Sequence, residues 1–290
     1  MATRIHPTAI IAASAEIGGD AVVEAYAVIG PRVVIGPRTR VRPFAHVVQD
    51  TEIGADCDIH AGAIVGGDPQ DLKFGGESTK LVIGNGNIIR ECVTINRGTG
   101  VGGGMTRIGD HNMIMAYVHV AHDCRIGNGC IIANSTQLAG HIVLEDMVNI
   151  SGLAAVHHFV TMGTMAFVAG ATAVKVDVPP FTVFDGKVRK LNTEGFKRRE
   201  IPQESRDALR HAFRVIYRSN LAMSEALERL ENDPAGRDPL VTRLVRSCRS
   251  SQEGKNGRAL ERNRSIDGPK SKTQVIPALG ILETLGSCVK

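Results

Sequence analysis

The sequence predicts a mainly β protein: a parallel β-helix of hexapeptide repeats with about ten coils, followed by a small C-terminal α-helical domain. Aliphatic residues recur every six positions from Ile5 to Val65 and, after two interruptions, from Ile108 to Val174. The chain also has 32 glycines, eight phenylalanines, three tyrosines and no tryptophan. A core without large rings is expected to be narrow and repetitive.

The period of six identifies the coil. It fits neither an α-helix, at about 3.6 residues per turn, nor a strand that alternates about every two residues. In a hexapeptide β-helix three hexads make one triangular coil, and successive coils stack by strand pairing. Small residues lie four positions after many of the aliphatic ones and are expected to point inward. Cys57, Cys124 and Cys130 are among them, which favours packing over chemistry for these thiols.

A glycine often comes directly after the aliphatic residue. We expect it to form a tight corner with unusual backbone angles, because glycine adopts these at little cost. The glycines of this set are Gly18, Gly30, Gly36, Gly54, Gly84, Gly109 and Gly127.

The pattern divides the chain into three parts. Residues 1–190 form the predicted β-helix, with functional loops expected at 67–80 and about 97–105, where the aliphatic register is lost. Pro179 and Pro180 end the coil, because proline cannot donate to a strand ladder. Residues 191–250 take on helical spacing, with Leu209 and Phe213 on one face, and predict the helical domain. Residues 251–290 are predicted to be a flexible tail.

Composition limits the location and the partners of the protein. None of the six cysteines forms a CxxC pair, and the N-terminus lacks the character of a signal peptide, which predicts a reduced, cytoplasmic protein. No apolar run approaches the roughly 20 residues of a membrane span. The net charge is +4, and nothing indicates nucleic-acid binding. A basic cluster either steers an acidic partner or forms a solvated linker: Lys187, Arg189, Lys190, Lys197, Arg198 and Arg199.

Histidines concentrate in three successive coils. Residues 18 apart lie above one another, about 4.8 Å per coil, so that His122, Gly140 and His158 form one column. Asp123 and His141 form the column beside it. The sequence therefore stacks a base, a bare backbone amide and further imidazoles along one corner of the prism.

These residues suit acyl transfer to a hydroxyl. A histidine with a pKa of roughly 6.5 is mostly neutral at pH 7 and can take the hydroxyl proton, which makes His122 the candidate base. The N–H of Gly140, unobstructed by a side chain, can stabilise the oxyanion that develops on a thioester carbonyl. Asp123 could orient an imidazole, although neighbouring side chains seldom hydrogen-bond well to each other.

Several motifs together resemble the UDP-N-acetylglucosamine acyltransferase family. The resemblance runs from about residue 5 to residue 231 and covers the coils, both loops and the entry to the helical domain. The motifs are PQDLKFGGE (69–77), RECVTINRGT (90–99), VAHDC (120–124), LAGH (138–141), AVHHF (155–159), DVPPF (177–181) and NTEGFKRR (192–199).

The resemblance implies a left-handed coil and a homotrimer whose active sites lie between chains. It implies transfer of a 3-hydroxyacyl group from the phosphopantetheine of acyl carrier protein to the 3-hydroxyl of UDP-N-acetylglucosamine, the first step of lipid A biosynthesis, with no other cofactor and no metal.

The resemblance also assigns roles to individual residues. His122 is similar to the general base and Gly140 to the oxyanion amide. Asp71 and Lys73 resemble residues that reach across to the neighbour's sugar and carrier arm. The remaining matches are the pocket lining, at His119, His141, His157 and His158, and the nucleotide-side and carrier-side residues, at Asn192, Glu194, Arg198 and Arg199.

Two departures and one match bear on specificity. His158 stands where the family more usually has glutamine, and the connection over 187–191 is shorter than the family's. Gly170, in a column with Asn134 and Gly152, matches the position that limits the acyl groove, and glycine there implies a long acyl donor.

Three other functions fit parts of the pattern. A γ-carbonic-anhydrase-like enzyme would use His119 and His122 as zinc ligands. A structural scaffold would need none of the histidines. A related hexapeptide acyltransferase would acylate a UDP sugar that bears a 3-amino group.

Overall fold

The computed structural model describes residues 2–264, and the predicted left-handed parallel β-helix is confirmed. Its strands form three faces, which the chain visits in order. The first face contains Arg4–Ile5, Val22–Val23, Arg40–Val41, Asp58–Ile59, Ile88–Ile89, Met113–Ile114, Ile131–Ile132, Asn149–Ile150, Phe167–Val168, Thr182–Phe184 and the antiparallel Val188–Leu191. The second contains Ile10–Ile11, Val28–Ile29, His46–Val47, Ile64–Gly67, Thr94–Asn96, His119–Val120, Gln137–Leu138, Ala155–Val156 and Ala173–Val174. The third contains Glu16–Ile17, Val34–Ile35, Thr51–Ile53, Lys80–Ile83, Met105–Ile108, Arg125–Ile126, Val143–Leu144 and Thr161–Met162.

The coils stack in the predicted register. On the first face Val22 pairs with Arg40, and Arg40 pairs with Asp58, always 18 residues apart. The spacing widens only where the two predicted loops leave the coil, between Gly67 and Lys80 and between Asn96 and Met105. Both loops leave the prism between the second and third faces, so they project from the same corner.

The corner glycines have a different role from the predicted one. The left-handed backbone angles lie two residues further along and are carried mostly by other residue types, such as Arg38 with φ 58° and Asp56 with φ 57°. The glycines are needed because successive coils approach closely. A Cβ at Gly36 would stand 2.4 Å from the carbonyl carbon of Gly54 in the next coil. The expected unusual angles at these glycines were therefore wrong.

The core of the prism is a stack of fully buried aliphatic side chains, including Ile29, Ile59, Ile89 and Ile132. Cys57, Cys124 and Cys130 lie buried among them, as predicted. Burial raises the pKa of the Cys124 thiol to about 12, so it stays protonated and unreactive.

A second core belongs to the helical domain. Its helices are α1 (Thr193–Arg198), α2 (Gln203–Arg218), α3 (Met223–Glu231) and α4 (Pro239–Glu253), with a 3-10 turn at Pro234–Arg237. Leu209, Phe213 and Leu244 are buried in it, which confirms the helical spacing read from the sequence. Asp238 caps α4 through the N–H groups of Leu240 and Val241, and Pro239 occupies the first turn.

The structure differs from the prediction just after residue 250. Helix α4 continues to Glu253, and the chain then folds back on the coil through a 3-10 helix, Ala259–Asn263. Arg258 and Glu261 are buried there, and they form an ion pair in which each charge compensates the other. The rest of the predicted tail, including Cys288, lies outside the described residues. No helix within residues 2–264 is long and apolar enough to cross a membrane.

Candidate active site

The corner between the second and third faces collects the motif histidines and both loops. His122, Gly140, His141 and His158 stack in successive coils at this corner, as the 18-residue spacing predicted. They line a cavity of about 740 Å³, which is within the size range of small-molecule sites. We call it the base cavity.

His122 is paired with its chain neighbour. Its Nδ1 lies 2.7 Å from Asp123 Oδ2. Asp123 adopts a left-handed corner conformation, with a φ of 60°. In this conformation its side chain contacts that of His122, although side chains of adjacent residues seldom hydrogen-bond well to each other. Because an ionised carboxylate only accepts hydrogen bonds, Nδ1 is the donor, and in the neutral form of the imidazole Nε2 therefore has the free lone pair.

The Asp123 carboxylate is held by the second loop. The Thr99 N–H donates to Oδ1 at 2.8 Å, and the Thr99 hydroxyl donates to Oδ2 at 2.7 Å. Burial opposes ionisation of this carboxyl, but the hydrogen bonds from His122 and Thr99 outweigh it, and the pKa of Asp123 lies below its ordinary value. Asp123 is therefore an anion that fixes the imidazole.

Asp71 lies on the other side of the His122 ring. Its Oδ2 is 4.0 Å from His122 Nε2 in the same chain, and Asp71 and Lys73 both line the base cavity. Both residues thus line the cavity of their own chain, and their reach to a neighbouring chain, which the resemblance implies, stays a prediction. The first loop leaves the prism at the corner that carries His122, so its side chains reach their own cavity.

Gly140 lies against the His122 ring. A Cβ at Gly140 would stand 2.5 Å from His122 Cε1, so only glycine leaves the ring in place. Among the described residues, nothing accepts a hydrogen bond from the Gly140 N–H, and the residue lines the base cavity. These two properties fit a donor for an oxyanion next to the base.

Two aromatic rings complete the cavity wall. His141 meets His122 edge-on, with centroids 5.1 Å apart, and stacks on Phe159 at 4.5 Å. Its Nε2 is 3.7 Å from Asp123 Oδ2. Burial is the largest influence on the pKa of His141 and lowers it below 6.5, so His141 stays neutral at pH 7.

The other three predicted histidines, His119, His157 and His158, do not all line the base cavity. His119 lies on the second face, where its Nδ1 is 2.7 Å from the Thr94 hydroxyl, and burial lowers its pKa. His157 Nδ1 contacts the His158 carbonyl at 3.1 Å, and the residue does not line the base cavity. Of these three residues only His158 lines the base cavity.

The predicted nucleotide-side and carrier-side residues line a second cavity. Asn192, Glu194, Arg198 and Arg199 surround it, at the first face and its corner with the third face. We call it the α1 cleft. Asn192 also caps α1, since its side chain accepts from Gly195 N–H at 3.0 Å and donates to the Met165 carbonyl at 2.9 Å. Within one chain, the base cavity and the α1 cleft lie at different corners of the prism.

Gly170 lies at the third corner, between the first and second faces, and lines neither cavity. A Cβ built on it meets only the Gly152 carbonyl oxygen at 3.4 Å and Ser151 Cβ at 3.8 Å, both at ordinary contact distance. The position can therefore accept a side chain without a backbone clash.

The base cavity also contains a set of possible metal ligands. His122, Asp123 and His141 each offer one atom, and these three atoms lie within 4.8 Å of one another. The zinc alternative named His119 and His122, and of these two only His122 belongs to this set. The carboxylate of the set already accepts hydrogen bonds from Thr99 and His122.

Three residues of the site were not predicted from the sequence. Phe159 lies 18 residues after His141, so the coil spacing could have revealed it. Thr99 lies in a loop that has no hexad register, and Arg264 lies after the last repeat. Arg264 Nη2 is 2.9 Å from His158 Nε2, and the residue lines the base cavity.

Comparison with protein-family models gives two matches. Residues 177–256 match the model described as UDP N-acetylglucosamine O-acyltransferase, domain 2. Residues 32–67 and 105–140 match the model of bacterial transferase hexapeptide repeats.

Individual relatives cover most of the chain. It is 44% identical over 247 residues to the acyl-[acyl-carrier-protein]–UDP-N-acetylglucosamine O-acyltransferase of Stenotrophomonas maltophilia, which covers 84% of this chain and 94% of that protein. The solved UDP-N-acetylglucosamine acyltransferase of Francisella novicida has a TM-score of 0.81 and 36% identity, over 84% of this chain and 90% of that one. That of Campylobacter jejuni has a TM-score of 0.79 and 38% identity, over 84% and 96%.

Proposed function

The chain belongs to the family of acyl-[acyl-carrier-protein]–UDP-N-acetylglucosamine O-acyltransferases, and from that premise we propose the reaction that its base cavity performs. It transfers a 3-hydroxyacyl group from acyl carrier protein to the 3-hydroxyl of UDP-N-acetylglucosamine, as the first step of lipid A biosynthesis. The observation that carries the proposal is the 2.7 Å contact between His122 Nδ1 and Asp123 Oδ2, which leaves Nε2 free to act as a base.

His122 begins the proposed reaction by taking the proton of the sugar hydroxyl on Nε2. The hydroxyl oxygen attacks the thioester carbonyl, and the resulting tetrahedral oxyanion accepts a hydrogen bond from the Gly140 N–H. When the intermediate collapses, the carbon–sulfur bond breaks and the pantetheine sulfur leaves with the proton that His122 held. Asp123 stabilises the imidazolium between the two proton transfers.

The acyl donor arrives on the phosphopantetheine of acyl carrier protein, and the proposed reaction draws on no further cofactor and no metal. The basic side chains of the segment 187–199 are exposed and can attract an acidic carrier. The five cysteines within residues 2–264 are free thiols, in keeping with a reducing compartment, and the proposal sets the reaction in the cytoplasm.

We propose a homotrimer in which each active site combines the base cavity of one chain with the α1 cleft of the next. The support is geometric. The resemblance gives the residues of both cavities to one substrate complex, but a single chain holds them at different corners of the prism. Only a second chain can bring a cleft to face a base cavity.

The proposed function is tested by an acyl-transfer assay with UDP-N-acetylglucosamine and a panel of 3-hydroxyacyl carrier proteins, run beside the 3-amino analogue of the sugar. Faster turnover of the hydroxyl sugar supports the proposal, and faster turnover of the amine analogue rejects O-acylation. Enzyme treated with a chelator is assayed in parallel, and loss of activity that zinc restores would reject the metal-free mechanism.

A further inference from the structure

The segment after α4 reaches the active site from outside the repeats. Residues 254–264, which we call the strap, begin where α4 ends and extend beyond the residues matched by the family model. Leu260 and Arg264 of the strap line the base cavity together with His122, Asp71 and His158.

A tight turn and a buried ion pair fix the strap to the coil. Asn256 and Gly257 both have positive φ and form a two-residue turn closed between Lys255 and Arg258. The Arg258 side chain is only 7% exposed; its Nε donates to Glu261 Oε2 at 2.9 Å, and Nη1 donates to the Lys175 carbonyl.

Asp177 connects the strap to the last coil. Its Oδ1 accepts from Thr161 N–H and its Oδ2 from Ala259 N–H, both at 2.7 Å. The Asp177 N–H in turn donates to the Gly257 carbonyl at 2.8 Å. Because the strap is bound to the coil at several points, its last residues are held in a defined position.

Arg264 is the residue that this anchoring positions. Its Nη1 donates to Glu261 Oε1 and its Nη2 contacts His158 Nε2, both at 2.9 Å. The guanidinium carbon stands 5.5 Å from the centre of the Phe159 ring. These contacts occupy two of the five donors of a guanidinium, and the side chain is still 49% exposed.

The charges around Arg264 favour an anion. Lys73 and Arg125 also line the base cavity, so that with Arg264 three basic side chains face two carboxylates, those of Asp71 and Asp123. A planar guanidinium that lies over an aromatic ring and keeps unpaired donors beside a substrate cavity suits a phosphate group.

We propose that Arg264 is a substrate-binding residue which contacts a phosphate group in the base cavity. The inference rests on the proposed function, which supplies two phosphate-bearing substrates. One source is the diphosphate of the sugar nucleotide, and the other is the phosphodiester of the phosphopantetheine arm.

The test uses the full chain and three variants: Arg264→Ala, Arg264→Lys and the control Arg262→Ala. Arg262 is exposed on the same 3-10 helix and does not line the cavity. KM is measured for each substrate at saturating concentrations of the other. We expect Arg264→Ala to raise one KM about tenfold, the scale of one charge-assisted hydrogen bond, with Arg264→Lys intermediate and Arg262→Ala like wild type. The substrate whose KM rises identifies the phosphate.

Two results would overturn the proposal: both KM values unchanged in Arg264→Ala, or a higher kcat/KM, which would mean that the strap obstructs the cavity. The four proteins are also titrated calorimetrically with UDP-N-acetylglucosamine and with holo acyl carrier protein. If wild type does not turn over, the proposed function fails, but the titrations still test the role of Arg264. Weaker binding of one ligand to Arg264→Ala supports that role, and equal binding of both ligands rejects it.

Discussion

A methyl group on Gly140 would stand 2.5 Å from Cε1 of His122. The two residues are 18 apart, in adjacent coils, so the packing of one coil on the next sets the position of the imidazole that we propose as the base. His122, its carboxylate partner Asp123 and Gly140 of the next coil lie together at one corner of the prism.

Gly140→Ala is therefore expected to displace His122 while the coil stays folded. The φ of Gly140 lies outside the left-handed region, so the backbone tolerates alanine, and only the ring must move. We expect kcat to fall about 10²-fold, the cost of misplacing a catalytic group by roughly 1 Å.

Steady-state kinetics and a crystal structure of Gly140→Ala check this prediction together. Gly19→Ala is the control, because a Cβ there meets no atom within 4 Å and the residue lies in the first coils, away from the base cavity. An unmoved His122 ring with full activity in Gly140→Ala would contradict the prediction.

Acidification is expected to destabilise the protein through its buried histidines. Burial lowers the pKa of His141 below the ordinary 6.5, so as the pH falls through 6.5 the unfolded chain binds a proton that the folded chain resists. The penalty for burying His141 is therefore absent above pH 6.5, and it lowers the free energy of unfolding as the pH falls below 6.5. We expect the melting temperature to drop between pH 7.5 and pH 5.5, and to drop less in His141→Asn; an equal drop in the two proteins would contradict this.

The shared-site proposal predicts complementation between particular pairs of variants. Arg199 lines the α1 cleft, and His122 and Asp71 line the base cavity. Inactive His122→Ala and Arg199→Ala chains, mixed by unfolding and refolding together, should regain partial activity because some sites combine two intact halves.

The pair His122→Ala and Asp71→Ala should not complement, because each of these variants damages the base cavity of its own chain. Equal recovery from both mixtures, or no recovery from either, would argue against sites built from one base cavity and one neighbouring α1 cleft.

Gly170 lines neither cavity of the single chain, but the resemblance places it at the end of the acyl groove, and on that ground we expect it to set the acyl length. A Cβ at this position meets no atom closer than 3.4 Å, and each buried methylene of the acyl chain contributes about 0.8 kcal/mol. Gly170→Met should lower kcat/KM for a long 3-hydroxyacyl donor and spare or raise it for a donor about four carbons shorter. Competition between the two donors measures the shift. If wild type already prefers the short donor, the connection over 187–191 limits the groove instead.

The periodicity of the sequence determines how much of the site could be predicted. The spacing of six placed His122, Gly140, His141 and His158 at one corner, because coil stacking converts sequence separation directly into position. It also predicted the buried cysteines. The corner glycines were misread because close approach between coils and positive φ both select glycine, and only coordinates separate the two causes.

The remaining parts of the site lie outside the hexapeptide repeats. Thr99 and Asp71 are in loops that interrupt the count, so their distance from His122 depends on loop conformation. The strap comes after the helical domain, and its contact between Arg264 and His158 joins residues 106 apart. No local pattern encodes a contact of that kind.

The turnover of His122→Ala tests the central claim most directly. Removing the imidazole removes the base, and we predict that kcat falls by about 10² or more. The melting temperature should stay close to that of wild type, because a corner side chain that lines a cavity adds little to the core. The control His6→Ala, an exposed histidine in the first coil, should keep full activity. Near-wild-type turnover in His122→Ala, with a folded protein, would contradict the account.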